Sequence, residues 1–243
     1  LTSPDGFGWT TRTAATSGNI MNVSWSGSNY VAVNENSWAQ VSANGESWTY
    51  NCVTSYYLVN VAWVNQQFIA LSALGILHIF YSPNGANGTW SGNTITDSSY
   101  YTVCDVAWDG SNYIFVGSNG YIVKTAILAG GTRCTSGTTE SLCSICWNGA
   151  KLVVVGTGGK ILTSTDGGVS WTAQNSGTTS TLRKVIWNGN KFIAVGAGGT
   201  VLTSPDGITW TTQNSGTTQD LYGVAWNGSQ FAVVGANGTI LTS

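Results

Sequence analysis

The stretch WNGNKFIAVGAGGTVLTSPDGITWTTQNSGTT, from Trp187 to Thr218, decides the fold. The Asn-Gly pair after the tryptophan reads as a hairpin turn, because both of its residues favour positive φ. The apolar run Phe192–Gly196 follows as one strand and, after a Gly-rich turn, Thr200–Ser204 as the next. An Asp-Gly turn leads into a further strand over Ile208–Gln213. With the apolar run that ends on the tryptophan, as in LYGVAW from Leu221 to Trp226, the unit holds four short antiparallel strands. No part of it shows helical periodicity with caps.

The unit recurs. NVSWSG, NVAWVN, DVAWDG, SICWNG, KVIWNG and GVAWNG align on Trp25, Trp63, Trp108, Trp147, Trp187 and Trp226, at intervals of 38, 45, 39, 40 and 39 residues. Four strands per repeat of about 40 residues is the signature of a propeller blade. The sixth unit stops at Thr239–Ser243 without a fourth strand, while the chain opens on LTSPDGFGWTTR, which supplies one over Gly8–Arg12. The expected fold is therefore all-β: one domain over residues 1–243, a six-bladed β-propeller of four-stranded antiparallel blades, its ring closed by the N-terminal strand completing the last blade. The blades are expected over about 18–53, 57–97, 102–134, 141–175, 181–214, and 220–243 joined by 1–13. LTS stands at both ends, so this reading leaves one copy displaced or the chain cut from a longer array.

Composition narrows the function. Charged residues make up only 7% and the net charge is -2, so no basic patch neutralises phosphates and nucleic acid is excluded as a partner. No apolar run approaches the roughly 20 residues of a membrane-spanning helix. The surface must be Ser, Thr, Asn and the 32 Gly, a composition typical of secreted or surface-displayed β proteins. Sequons at Asn22, Asn87, Asn227 and Asn237 are compatible with that setting.

One turn recurs with the strands. STDGGVSW (Ser164 to Trp171) is echoed at Asp206, at Asp5 and, with Asn for Asp, at Asn44 and Asn84; the third unit lacks it, reading VKTAILAGGT from Val123. The pattern S-x-D-x-G-x-x-W at Ser164, Asp166, Gly168 and Trp171 resembles the Asp-box, or BNR repeat, of sialidase-like, xyloglucanase-like and photosystem II assembly factor-like propellers. The copies at Asp5 and Asp206 are one residue shorter. The resemblance implies a structural turn between the third and fourth strands, on the face opposite the usual ligand face. The physics agrees: a short Asp or Asn side chain accepts backbone N–H bonds within its own turn.

Catalytic chemistry finds little support. The residue three before each core tryptophan is Asn22, Asn60, Asp105, Ser144, Lys184 and Gly223, so the channel holds one acid where glycoside hydrolysis needs a facing pair. The resemblance to sialidases would require three converging arginines, yet Arg12, Arg133 and Arg183 stand in unrelated places. His78 is the single histidine, and no metal or cofactor motif accompanies it. Among Cys52, Cys104, Cys134, Cys143 and Cys146, one disulfide drawn from Cys104, Cys134 and Cys143 is compatible with the spacing, as are five free thiols.

The copies disagree in one region. Loops leading into the last three units are near-identical, whereas those of the first three diverge and carry Tyr56–Tyr57 and Tyr100–Tyr101. The turn between the second and third strands ends on Trp38, His78, Tyr121, Lys160, Thr200 and Thr239 around the ring. Trp38, Tyr56, Tyr57, Tyr100, Tyr101 and Tyr121 are therefore the candidate ligand residues, suited to a sugar or to a protein surface. The sequence reading is a non-catalytic extracellular recognition module, adhesin- or lectin-like, for a glycan or surface protein. Its alternative is a protein-assembly scaffold like the photosystem II assembly factors, which the resemblance associates with seven blades and a charged patch that is absent here. A sialidase-like hydrolase is disfavoured by the acid count.

Overall fold

The computed structural model describes residues 1–72, 77–95 and 101–243. It is a six-bladed β-propeller: five four-stranded sheets and a sixth of three, each antiparallel with strands adjacent in chain order. The sheets occupy residues 20–52, 58–95, 103–133, 142–174, 182–213 and 221–242. Only short 3-10 turns interrupt them, and no described helix is long and apolar enough to cross a membrane.

Each innermost strand ends on the repeat tryptophan, opposite the first residue of the second strand, except in the second blade, where both strands run one residue further. Trp25, Trp63, Trp108, Trp187 and Trp226 thereby meet Tyr30, Phe68, Tyr113, Phe192 and Phe231, with ring centroids 4.1, 4.7, 4.5, 4.6 and 4.4 Å apart. Such cross-strand aromatic pairs stabilise a two-strand ladder beyond the area they bury. The repeat tryptophans thus pack on the neighbouring strand of their own sheet, and Trp25 keeps 43% of its surface exposed.

The core lies between sheets. Val195 of the fifth blade packs on Leu221 and Val224 of the sixth, and Val155 of the fourth on Leu182 and Val185 of the fifth. Glycines let the blades interlock: a Cβ on Gly120, Gly159 or Gly199 would collide with the carbonyl oxygen of Thr138, Thr178 or Thr217 in the loop entering the next blade. These three glycines also hold φ between +67° and +73°, so an L side chain is excluded on both counts.

Closure takes a different form from the one expected. Residues 8–12 do not extend the last sheet; Thr10 bridges to Thr2 of its own segment, and Ile240–Thr242 pairs only with Phe231–Gly235. The N-terminal segment instead lies between the sixth blade and the first. Asp5 accepts a bond from Gln230 Nε2 at 2.8 Å on one side, and Arg12 pairs with Glu46 on the other. The physical reason is the LTS carried by residues 1–3, which gives the turn at Asp5 its own third-strand partner and removes the need to borrow one. Inner strands of successive blades pack on one another from the first to the sixth, whereas those of the sixth and first make no comparable contact.

Candidate functional site

Five turns share one geometry. In the turn at Asp166, Ser164 Oγ donates to the carboxylate at 2.7 Å and accepts the Gly168 N–H at 2.9 Å. The amides of Val169 and Ser170 donate to Asp166 at 3.1 and 3.0 Å, and Trp171 Nε1 closes the turn on the Gly168 carbonyl at 3.0 Å. The same serine, acid-or-amide and tryptophan contacts recur at Asp5, Asn44, Asn84 and Asp206. Hydrogen bonds from the Ser170 hydroxyl and amide hold the Asp166 carboxyl below its ordinary range, and backbone amides do the same for Asp5 and Asp206. The Asp or Asn side-chain oxygen of each turn is thus engaged by groups of its own turn.

The channel is lined by a polar belt. Asn22 donates to Asn60, and Asn60 Nδ2 donates to Asp105 Oδ1 at 2.9 Å. Ser144 Oγ and Lys184 Nζ both donate to Asp105 Oδ2, at 2.7 and 2.9 Å. The amides of Val106 and Ile145 add bonds at 3.0 and 3.3 Å. Asp105 is 2% exposed and fully engaged, which leaves it no free lone pair for proton transfer to a substrate. Gly223 contributes no side chain, so the belt is open between the sixth blade and the first.

The opposite face, where the loops enter each blade, holds the expected candidates in pairs. Trp38 is half-buried and meets Tyr50 edge-on at 5.1 Å. Tyr56 stacks on His78 at 4.2 Å and reaches Phe80 at 6.3 Å, and Tyr57 beside it is 52% exposed. Tyr101 stacks on Tyr121 at 4.8 Å, under the Arg133 guanidinium at 4.4 Å. Tyr121 itself is only 2% exposed and belongs to the core beside Phe115 and Val123, so it supports Tyr101 and does not face a ligand. Tyr100 lies outside the described residues.

Two features escaped the sequence reading. Arg133, exposed on the outer strand of the third blade, caps the Tyr101–Tyr121 stack. On the same face, Arg183 lies 5.2 Å over the exposed ring of Tyr222 and bonds Asp220 at 2.9 Å. The Gly198 amide and Arg183 together hold the Asp220 carboxyl below its ordinary range. The signal for the second was present: the column one residue before the belt reads Met21, Val59, Cys104, Cys143, Arg183 and Tyr222, with the last two departing from the apolar or thiol pattern.

Of the two alternatives the sequence leaves open, the structure takes free thiols at Cys104, Cys134, Cys143 and Cys146. Cys104 and Cys143 occupy equivalent positions on neighbouring inner strands, where each sulfur bonds back to the carbonyl two residues earlier, that of Thr102 or Ser141. Burial pushes the Cys104 and Cys146 thiols up to about 12 and raises those of Cys134 and Cys143. Among the described residues no group of three His, Cys, Asp or Glu side chains is placed to hold a metal ion.

No protein-family model matches the chain, and no curated protein matches it in sequence. Among solved structures it is similar to YCF48 from Cyanidioschyzon merolae, with TM-score 0.69 and 18% identity over 91% of this chain and 80% of that one. It is similar to a YCF48 bound to D1 peptide, with TM-score 0.71 and 15% identity over 93% and 77% of the two chains. The WD40 β-propeller domain of Doa1 matches with TM-score 0.68 at 11% identity, over 93% and 82%. At these identities the likeness establishes the propeller fold.

Proposed function

We propose that the chain is a non-catalytic, protein-binding scaffold that presents the face opposite its serine–aspartate turns to a peptide or protein partner. The observation that carries this reading is the division of labour between the faces. One is occupied by turns whose polar groups satisfy each other. The other gathers exposed Tyr56, Tyr57 and Tyr222 with two guanidiniums laid over aromatic rings. Tyrosine and arginine are the residues enriched at protein interfaces. The structural likeness to a YCF48 bound to a D1 peptide supports a peptide or protein in preference to a sugar. The single channel acid, fully engaged within the belt, supports a role without chemistry.

The test is affinity capture with immobilised protein, run beside a glycan array. Wild type should retain a protein that the triple variant Tyr57→Ala, Arg133→Ala, Tyr222→Ala does not, with its melting midpoint held within a few degrees. A partner retained equally by the variant, or selective binding on the glycan array with no protein captured, would sink the reading.

A further inference from the structure

The inner strand of every blade carries a β-bulge at the same place. In the third blade Val103 pairs with Gly117 and Asp105 with Val116, which leaves Cys104 as the extra residue. In the fourth, Leu142 pairs with Gly156 and Ser144 with Val155, which leaves Cys143. The same position in the other four blades holds Met21, Val59, Arg183 and Tyr222. A bulge breaks the strict alternation of a strand and re-aims the extra side chain. These residues lie one step from the polar belt, toward the face where the loops enter each blade.

Two adjoining bulge residues are thiols. The belt residues beside them touch, with Ser144 Oγ donating to Asp105 Oδ2 at 2.7 Å, so the third and fourth inner strands lie side by side here. Cys104 and Cys143 repeat each other's geometry: both are half-buried, and each sulfur bonds back to a carbonyl at 3.9 Å. Charge on Cys143 reaches Cys104, and charge on Asp105 reaches both. On the far side of Cys143 stands Arg183, whose charge reaches that thiol. Arg183 gives one guanidinium nitrogen to Asp220, while its Nε–H is buried without an acceptor. A neutral thiol is only a weak acceptor for such a donor, whereas an anionic sulfur is a strong one.

We propose that Cys104 and Cys143 form a two-coordinate site for a monovalent, thiophilic d10 cation of the copper(I) class, held between the third and fourth blades. The ligand set selects that class. Thiolate sulfur favours soft ions. Among the described residues no third His, Cys, Asp or Glu joins the pair in a metal-holding group, which leaves zinc short of the three or four protein ligands it takes. A monovalent d10 ion is satisfied by two sulfurs in line. Binding forms two metal–sulfur bonds and releases the two thiol protons to solvent, with no change of oxidation state. The resulting complex carries one negative charge, which the Arg183 guanidinium offsets as its orphaned Nε–H gains a sulfur to bond. Asp105 adds little repulsion, because Lys184 pairs with it at 2.9 Å. Burial raises both thiols, so the pair stays protonated until an ion that bonds sulfur strongly displaces the protons.

The test titrates the reduced protein, under nitrogen, with copper(I) held by the chromophoric chelator bicinchoninate. Wild type should withdraw one copper(I) per chain, and X-ray absorption of the loaded protein should show two sulfur neighbours and no nitrogen or oxygen. Cys104→Ser and Cys143→Ser should each abolish the withdrawal, and Cys134→Ser and Cys146→Ser should leave it intact. Arg183→Met should weaken it about 10-fold, as loss of a group bonded to a metal ligand does. Zinc offered in place of copper(I) should not be retained. Thermal melts check that each variant is folded, and if a serine variant is not, the absorption spectrum of loaded wild type decides. No partner takes part, so the outcome is separate from the reading of the partner face. The inference is overturned if wild type leaves the copper on the chelator, or if Cys104→Ser or Cys143→Ser binds as wild type does. It is also overturned if one ion is shared between two chains, or if nitrogen or oxygen neighbours appear in the absorption spectrum.

Discussion

Removing Asp105 should be the most damaging single change at the channel. The carboxylate accepts bonds from Asn60, Ser144, Lys184 and the amides of Val106 and Ile145 while 2% exposed. Asp105→Ala strands these donors and leaves the Lys184 ammonium, 30% exposed, without its counter-ion. Breaking a buried pair by deleting one partner costs about 3–5 kcal/mol. Lys184 can turn partly toward water, which discounts the figure to about 3 kcal/mol. For a chain of this size that lowers the melting midpoint by roughly 6–12 °C. Calorimetry or urea titration reads the loss directly. Adding Lys184→Met to Asp105→Ala removes the orphaned charge and should recover about half of it, a coupling visible only in the double-mutant cycle. A loss below about 0.5 kcal/mol for Asp105→Ala, or strict additivity of the two changes, would refute the belt as an energetic unit.

Other consequences are equally direct. Asp166→Ala should cost about 1 kcal/mol by uncapping its turn, whereas Asp166→Asn should be milder because Asn44 and Asn84 fill the same place, a ranking urea titration can check. Because the folded-state pKa values of Asp5, Asp166 and Asp206 are depressed, their stabilisation is present above the unfolded value near 4 and is lost as pH falls through the folded values. Asp166→Asn should flatten the acid limb of stability against pH, and an unchanged limb would contradict the assignment. Gly159→Ala should cost about 3 kcal/mol through collision with Thr178 added to left-handed strain, and Gly238→Ala only the strain, about 1 kcal/mol; equal losses in thermal melts would contradict the interlock. Cys104 and Cys146 should resist iodoacetamide at pH 8 in the folded protein and react on unfolding, as peptide mapping after alkylation would show.

The blades were legible because each repeat states its turns twice, once in Asn-Gly or Asp-Gly chemistry and once in the alternation of apolar residues on either side. The tryptophan column located the inner strands for the same reason. What sequence could not supply was the partner of each edge. Residues 1–13 read as a fourth strand for the last blade because only their outward half was weighed. The LTS at residues 1–3 gives that strand its own neighbour and carries the segment across to the next junction. Tyr121 read as a ligand residue because a departure from the repeat looks alike whether the new ring points out or in. Its neighbour Tyr101 and the overlying Arg133 show a ring recruited to hold another in place.

Repetition also explains where specificity can reside in this chain. A blade junction is fixed by small residues, by valines of one size and by glycines that tolerate no Cβ, so its column of positions has almost no freedom. The serine–aspartate turns are equally constrained, since each side-chain oxygen answers a named amide. Freedom remains where side chains leave the ring without entering the next sheet: the belt column, the column one residue before it and the ends of the turns that bear Trp38 and His78. Those columns hold Asp105 with Lys184, Arg183 with Tyr222, and the stacked pair of Tyr56 and His78. In the first pair Asp105 is buried and Lys184 half-buried, and together they join the third and fifth blades across the channel. The other two stand at the surface on one face, where side chains can differ between propellers of one fold without disturbing a blade junction.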